Sequence, residues 1–138
     1  MALTRKGTAE WNGDLKTGKG TVTVQSGTFD AQYSYKSRFE EGTGTNPEEL
    51  IGAAHAGCYS MALSNMLAEA GHTADSVKTV ANVKMEGLEI TDVLLQTEGS
   101  VPGLSADEFQ SYAEDAKKNC PVSKALSALE IRLEAKLV

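Results

Sequence analysis

Cysteine, proline, arginine and aromatic residues are all scarce in this chain of 138 residues, and each shortage excludes something. Two cysteines are too few for a secreted disulfide framework, and residues 1–11 lack the apolar run of a signal peptide. A cytoplasmic protein is therefore expected, in which a cysteine pair is reactive, metal-binding or simply buried. Three prolines, no low-complexity tract and 41% hydrophobic residues argue against disorder. Positive charge is also lacking. The net charge is −6, and thirteen scattered lysines and arginines form no stripe, so no nucleic acid partner is expected. The length fits a single domain over residues 1–138.

Charge is missing altogether from residues 50–68. Nineteen such residues are long enough to span a bilayer, but Gly52, His55, Gly57, Ser60, Ser64 and Asn65 interrupt the run and no basic residue flanks it. No membrane association is expected. A central buried helix suits the stretch better, opened by Asn46 as N-cap, Pro47 at the first position and Glu48 and Glu49 in the first turn, and closed at Gly71. Glu49 completes a box-like pattern with Asn46.

Alternation with period two predicts strands over Leu3 to Trp11, Thr21 to Val24, Phe29 to Tyr35, Val77 to Met85, Leu88 to Glu98 and Leu129 to Leu137. The segment 36–45 reads as a surface loop. Ser105 and Glu108 form a capping box ahead of a helix ending near Asn119, and Cys120-Pro121 opens a short further helix. The resulting order is βββαββααβ, an α+β unit in which the long central helix packs against antiparallel sheets. One sheet layer covers only one side of an uncharged helix, so its other side is expected to meet a second copy, as a homodimer.

The chemistry-bearing residues are few. Cys120 sits at a helix start beside Lys117 and Lys118, an arrangement that lowers a thiol pKa, whereas Cys58 is twelve residues past its N-cap and needs activation by a side chain from elsewhere. Of three arginines, Arg5 is terminal and Arg132 alternates outward between two glutamates. Arg38, at the edge of a glycine-rich loop, is the candidate cation, held by Glu48 or Glu49. Ten residues of straight helix keep Glu48 about 15 Å from Cys58. That leaves a helix broken near Gly52, an arginine that bridges the gap, or a glutamate that reaches the cysteine of a partner subunit.

His55 shares a helical face with Cys58, which permits a Cys–His hydrolase; a buried core histidine is the plainer alternative. Two further ligands at recognisable spacing are missing, so no metal is expected, and no cofactor. Phe39, Leu50, Ile51, Tyr59 and Met61 are candidates for an apolar substrate pocket, and equally for core.

The run Arg38-Phe39, then Gly42-Thr43-Gly44-Thr45-Asn46-Pro47-Glu48-Glu49-Leu50-Ile51-Gly52-Ala53-Ala54-His55-Ala56-Gly57-Cys58-Tyr59-Ser60-Met61-Ala62-Leu63-Ser64, resembles the osmotically inducible protein C (OsmC) family. Glu69-Ala70-Gly71, Cys120-Pro121-Val122-Ser123 and Gly18-Lys19-Gly20-Thr21-Val22 extend the resemblance over essentially the whole chain. It implies an intertwined homodimer with two interfacial active sites and a thiol-dependent peroxidase that reduces organic hydroperoxides. By the same resemblance Cys58 is the peroxidatic cysteine, Cys120 the resolving cysteine, and Arg38 with Glu48 the activating pair. Assigning Arg38 rather than Arg5 follows the OsmC branch, since the organic hydroperoxide resistance branch draws its arginine from an earlier strand. A dithiol is the implied reductant, and a lipoylated protein is the donor the resemblance suggests. A non-catalytic redox sensor or small-molecule binding dimer is the alternative outside catalysis.

Overall fold

The computed structural model describes residues 1–138 as two compact units, Met1–Leu50 and Ile51–Val138. In the first, β1 (Gly7–Asn12), β2 (Lys19–Val24) and β3 (Asp30–Tyr33) form an antiparallel sheet in sequence order. Trp11 and Tyr33 lie with ring centroids 5.3 Å apart across β2, above Gly20. A Cβ at Gly20 would come within 2.4 Å of the Tyr33 ring, so only glycine lets the rings close over the strand.

Where a loop is expected at 36–45, the chain first makes a short helix, α1 (Tyr35–Phe39). Its signal is local: Ser34 accepts from the Ser37 amide while Ser37 Oγ accepts from the Ser34 amide, a reciprocal cap built from two serines. Five residues carry too little hydrophobic periodicity to read from the sequence. Ser37 Oγ also donates to the Thr45 carbonyl, and Asn46 Nδ2 donates to the Ser37 carbonyl, which folds the intervening loop back onto α1.

The long helix α2 (Pro47–Glu69) runs unbroken through Gly52, so the broken-helix alternative is excluded. Asn46 Oδ1 accepts the Glu49 amide as expected of the N-cap, but Glu49 does not complete a box with Asn46. Its carboxylate accepts from Thr45 Oγ1 instead, because that hydroxyl lies within 2.8 Å. At the other end Gly71 adopts φ +90°, with the His72 amide on the Leu67 carbonyl and the Gly71 amide on the Ala68 carbonyl, a Schellman closure. No helix is long and apolar enough to cross a membrane.

In the second unit, β4 (Ser76–Glu86), β5 (Glu89–Ser100) and β6 (Glu130–Leu137) make a sheet with β5 central. β4 and β5 are antiparallel around a tight turn at Gly87, whereas β6 runs parallel to β5, a departure from the expected antiparallel sheet. The reason is the intervening crossover through α3 (Ala106–Asn119) and α4 (Pro121–Ala125), which returns the chain to the starting end of β5. The order is therefore βββααββααβ. Tyr59, Leu63 and Leu67, one stripe of α2, bury completely with Val93 and Leu95 of β5 and Phe109, Ala113 and Ala116 of α3. At about 1.5–3 kcal/mol per large apolar side chain this stripe is the main attachment of α2 to its unit.

Gly99 admits the Phe109 ring onto β5, since a Cβ there would stand 2.4 Å from it. Gly99→Ala is expected to destabilise the protein by about 1–3 kcal/mol, read as a lower urea midpoint. An unchanged midpoint would refute the tight seat of Phe109 on the strand.

Candidate functional site

Cys58, near the middle of α2, and Cys120, between α3 and α4, are 62 residues apart, yet Cys120 Sγ donates to Cys58 Sγ over 3.1 Å. Both thiols are free. Cys120 is wholly buried, while Cys58 is half-exposed. Two features of the local sequence bring the sulfurs together. Cys58 precedes Tyr59, whose hydroxyl donates to the Ala113 carbonyl of α3 at 2.9 Å, and Cys120 both ends α3 and caps α4.

Burial pushes the Cys58 thiol up, and its contact with Cys120 pushes the same way, because two touching thiols do not readily both ionise. The backbone N–H of Val122, donated to the Cys58 sulfur, pulls it down. This corrects the sequence reasoning in one respect. The free amides at the start of the short helix are expected to serve Cys120, but the Cys120 side chain makes no cap hydrogen bond and the Val122 amide acts on Cys58 instead. Activation of Cys58 therefore has a backbone contributor that no side-chain pattern signals.

Within the first unit Arg38 closes on Glu48 in a forked ion pair. Nη2 lies 2.7 Å from Oε1, and Nε lies 3.1 and 3.3 Å from Oε1 and Oε2. The short α1 presents the arginine and the first turn of α2 presents the acid. Glu48 is buried, the guanidinium is partly exposed, and its centre lies 5.2 Å from the Phe39 ring. Of the two acids considered, Glu48 holds Arg38 and Glu49 is engaged by Thr45. Arg5 reaches only the Thr4 carbonyl and Arg132 pairs with Asp92.

His55 is fully buried, with Nε2 2.7 Å from Ser123 Oγ on α4, and its Nδ1 has no partner. Burial pushes the imidazole down, so it is neutral at pH 7. Its bonded nitrogen is engaged by a serine rather than by Cys58, which leaves the hydrolase alternative without a base in place.

The candidate pocket residues separate. Tyr59 is entirely core, as its full burial and bonded hydroxyl require, and lines no accessible pocket. Phe39 stacks on Tyr35 at 5.0 Å, Leu50 and Ile51 are half-buried, and Met61 is exposed at the edge of a shallow groove with Ser64 and Asp75. Sequence reasoning missed Ser123 as the partner of His55. The matching spacing of His55 with Cys58 and of Cys120 with Ser123 is the one signal available.

A family model described as OsmC-like protein matches residues 40–136. The chain is similar to peroxiredoxin OsmC of Escherichia coli (strain K12), 50% identical over 142 aligned residues that cover 99% of each chain. It is 29% identical over 124 residues to organic hydroperoxide resistance protein OhrB of Bacillus subtilis (strain 168), covering 85% of this chain and 89% of that one. The crystal structure of OhrB of Bacillus subtilis matches with a TM-score of 0.74 at 27% identity, covering 97% and 98% of the two chains. An OsmC like protein from Mycoplasma pneumoniae matches in fold, with a TM-score of 0.76 at 20% identity over 100% and 99% of the chains.

Burial and then contact with Cys120 raise the Cys58 thiol, and alkylation of the reduced protein by a small haloacetamide reads each contribution as a shift of the pH midpoint between wild type and variant. Cys120→Ala removes the second contribution and keeps the Val122 amide, so the midpoint falls. A midpoint that stays or rises in that variant would show that Cys120 does not oppose ionisation.

Proposed function

This chain belongs to the OsmC-like protein family, and from that premise we propose that it reduces organic hydroperoxides to alcohols through Cys58 and Cys120. It is a cysteine-based peroxidase, in keeping with relatives named peroxiredoxin and organic hydroperoxide resistance protein. The observation that carries the assignment of roles is the 3.1 Å separation of the two sulfurs. A disulfide needs about 2.05 Å, so closure asks for a shift of about 1 Å.

The half-exposed Cys58 thiolate attacks the distal peroxide oxygen, the O–O bond breaks, and the alcohol leaves with a proton while Cys58 becomes a sulfenic acid. Cys120, buried and reached less easily by peroxide, attacks that sulfur; the S–O bond breaks and water leaves. A dithiol then reduces the bridge by exchange, and a lipoylated protein is the proposed donor. In the pair Arg38–Glu48, the acid orients the guanidinium and the guanidinium favours the thiolate and binds a peroxide oxygen. Phe39, Leu50, Ile51 and Met61 supply apolar surface for the alkyl group. Residues 1–138 act as one functional domain, matched over 99% of its length by a full relative, in the cytoplasm where the thiols stay reduced.

The working form is a homodimer in which Arg38 and Glu48 of one subunit serve Cys58 of the other. Its support is the face of α2 bearing Ala53, Ala54, Gly57, Met61, Asn65 and Ala68, which is uncharged and exposed, Met61 by 76%.

Cumene hydroperoxide consumption with dihydrolipoamide tests the chemistry. Wild type is expected to turn over and to prefer cumene hydroperoxide to hydrogen peroxide. Cys58→Ser should lose activity by on the order of 10³-fold, and Arg38→Ala should lower kcat/KM by roughly 10²-fold. Activity retained by Cys58→Ser would overturn the assignment. Sedimentation tests the assembly: two chains per particle for wild type and one for Gly57→Glu are expected, and a wild-type single chain at micromolar concentration would refute the dimer.

A further inference from the structure

Two side-chain contacts join α2 to the start of α4, one from Ser123 within α4 and one from its N-cap residue Cys120, and they have the same spacing. His55 pairs with Ser123 at 2.7 Å and Cys58 pairs with Cys120 at 3.1 Å, so three residues separate the rungs on each helix. On α2 the two partners share one face, one turn apart, and they meet the N-cap residue and the third residue of α4. The helices run in opposite senses, since residue numbers rise on one as they fall on the other.

The two rungs differ in permanence. The thiol rung must open, oxidise and close during turnover, whereas the histidine–serine rung takes no part in the chemistry. α4 cannot hold its own position: it has five residues, its N-cap side chain makes no cap hydrogen bond, and a helix that short is not stable by itself. Its placement depends on what its side chains touch. Ser123 is buried, and its hydroxyl partner is a ring fixed in the long helix by complete burial.

We propose that the His55–Ser123 hydrogen bond is a latch that holds α4 in register so that Cys120 stays on the Cys58 sulfur. His55 and Ser123 are positioning residues. This deepens the peroxidase reading and rests on it for its biological purpose. When Cys58 is a sulfenic acid, Cys120 displaces its oxygen as water and the new S–S bond forms; with α4 out of register the sulfenic acid persists. A second equivalent of hydroperoxide then oxidises it to the sulfinic acid, itself becoming an alcohol.

The latch is tested without any hydroperoxide, by equilibrating the full-length reduced protein in glutathione redox buffers and trapping the Cys58–Cys120 disulfide. His55→Leu and Ser123→Ala are each expected to weaken the disulfide about tenfold, a reduction potential higher by about 30 mV. The double variant should weaken it no further than either single variant, because both remove one contact. His55→Gln and Ser123→Thr, which retain a polar group at the contact, should stay within about twofold of wild type. In a second arm, mass spectrometry after cumene hydroperoxide treatment should find more Cys58 sulfinic acid in the two disrupting variants. An unchanged disulfide equilibrium in folded Ser123→Ala, or a loss in His55→Gln as large as in His55→Leu, would overturn the latch. If His55→Leu does not fold, Ser123→Ala and Ser123→Thr decide by the same readout. A shifted equilibrium in a protein that consumes no hydroperoxide keeps the latch and removes the peroxidase, so the two failures are separable.

Discussion

Burial of one stripe of α2, Tyr59, Leu63 and Leu67, against β5 and α3 underlies the placement of both thiols in the Ile51–Val138 unit. The stripe fixes the rotation of the helix, and rotation decides where the neighbours of Tyr59 point. Tyr59 then ties α2 to the backbone of α3 through its hydroxyl, a bond made in a dry environment where an unpaired phenol would be costly. Since α3 ends at Cys120, the same contact that anchors the tyrosine brings the end of α3, and Cys120 with it, alongside α2. The thiol pair is thus a consequence of core packing, with no loop required to bring it together.

Electrostatics at the thiols works against their chemistry within this unit. Burial disfavours the Cys58 thiolate, contact with a second thiol adds to the penalty, and one backbone amide opposes both. A net hydrogen bond of this kind is worth about 0.5–1.5 kcal/mol, roughly one pKa unit. A permanently charged, forked cation is the type of group able to add more, and in this chain the arginine presented on a glutamate is Arg38. Glu48, buried at the first turn of α2, also benefits from the helix amino terminus, so the acid that orients the guanidinium is held by its own helix.

Much of this architecture is legible in the sequence because it rests on local rules. The Asn46 and Ser105 caps, the Gly71 closure and the alternation of β6 each follow from a few adjacent residues. What escapes is non-local or backbone-borne. Helix α1 is a cap without periodicity, the parallel sense of β6 depends on where a two-helix crossover lands, and the Val122 amide has no side chain to announce it. For the proposed site, family resemblance points to Cys58, Cys120, Arg38 and Glu48, and the structure pairs Arg38 with Glu48 while Thr45 engages Glu49. Tyr59 misleads as a pocket candidate because an aromatic next to a reactive cysteine looks the same in sequence whether it faces a substrate or the core.

The buried histidine is the element that stability alone does not explain. Its hydrogen bond to Ser123 contributes about 0.5–1.5 kcal/mol net, less than the roughly 1.5–3 kcal/mol of a large apolar side chain buried in its place. On these magnitudes two apolar side chains of similar volume would pack α4 against α2 at least as well. Apolar contacts, however, are non-directional and tolerate sliding, while a 2.7 Å hydrogen bond does not. One turn away, sulfurs 3.1 Å apart have to approach to bonding distance during each cycle, and a slide of α4 along α2 lengthens that approach. A directional contact at His55–Ser123 therefore confers register where an apolar one would confer only adhesion.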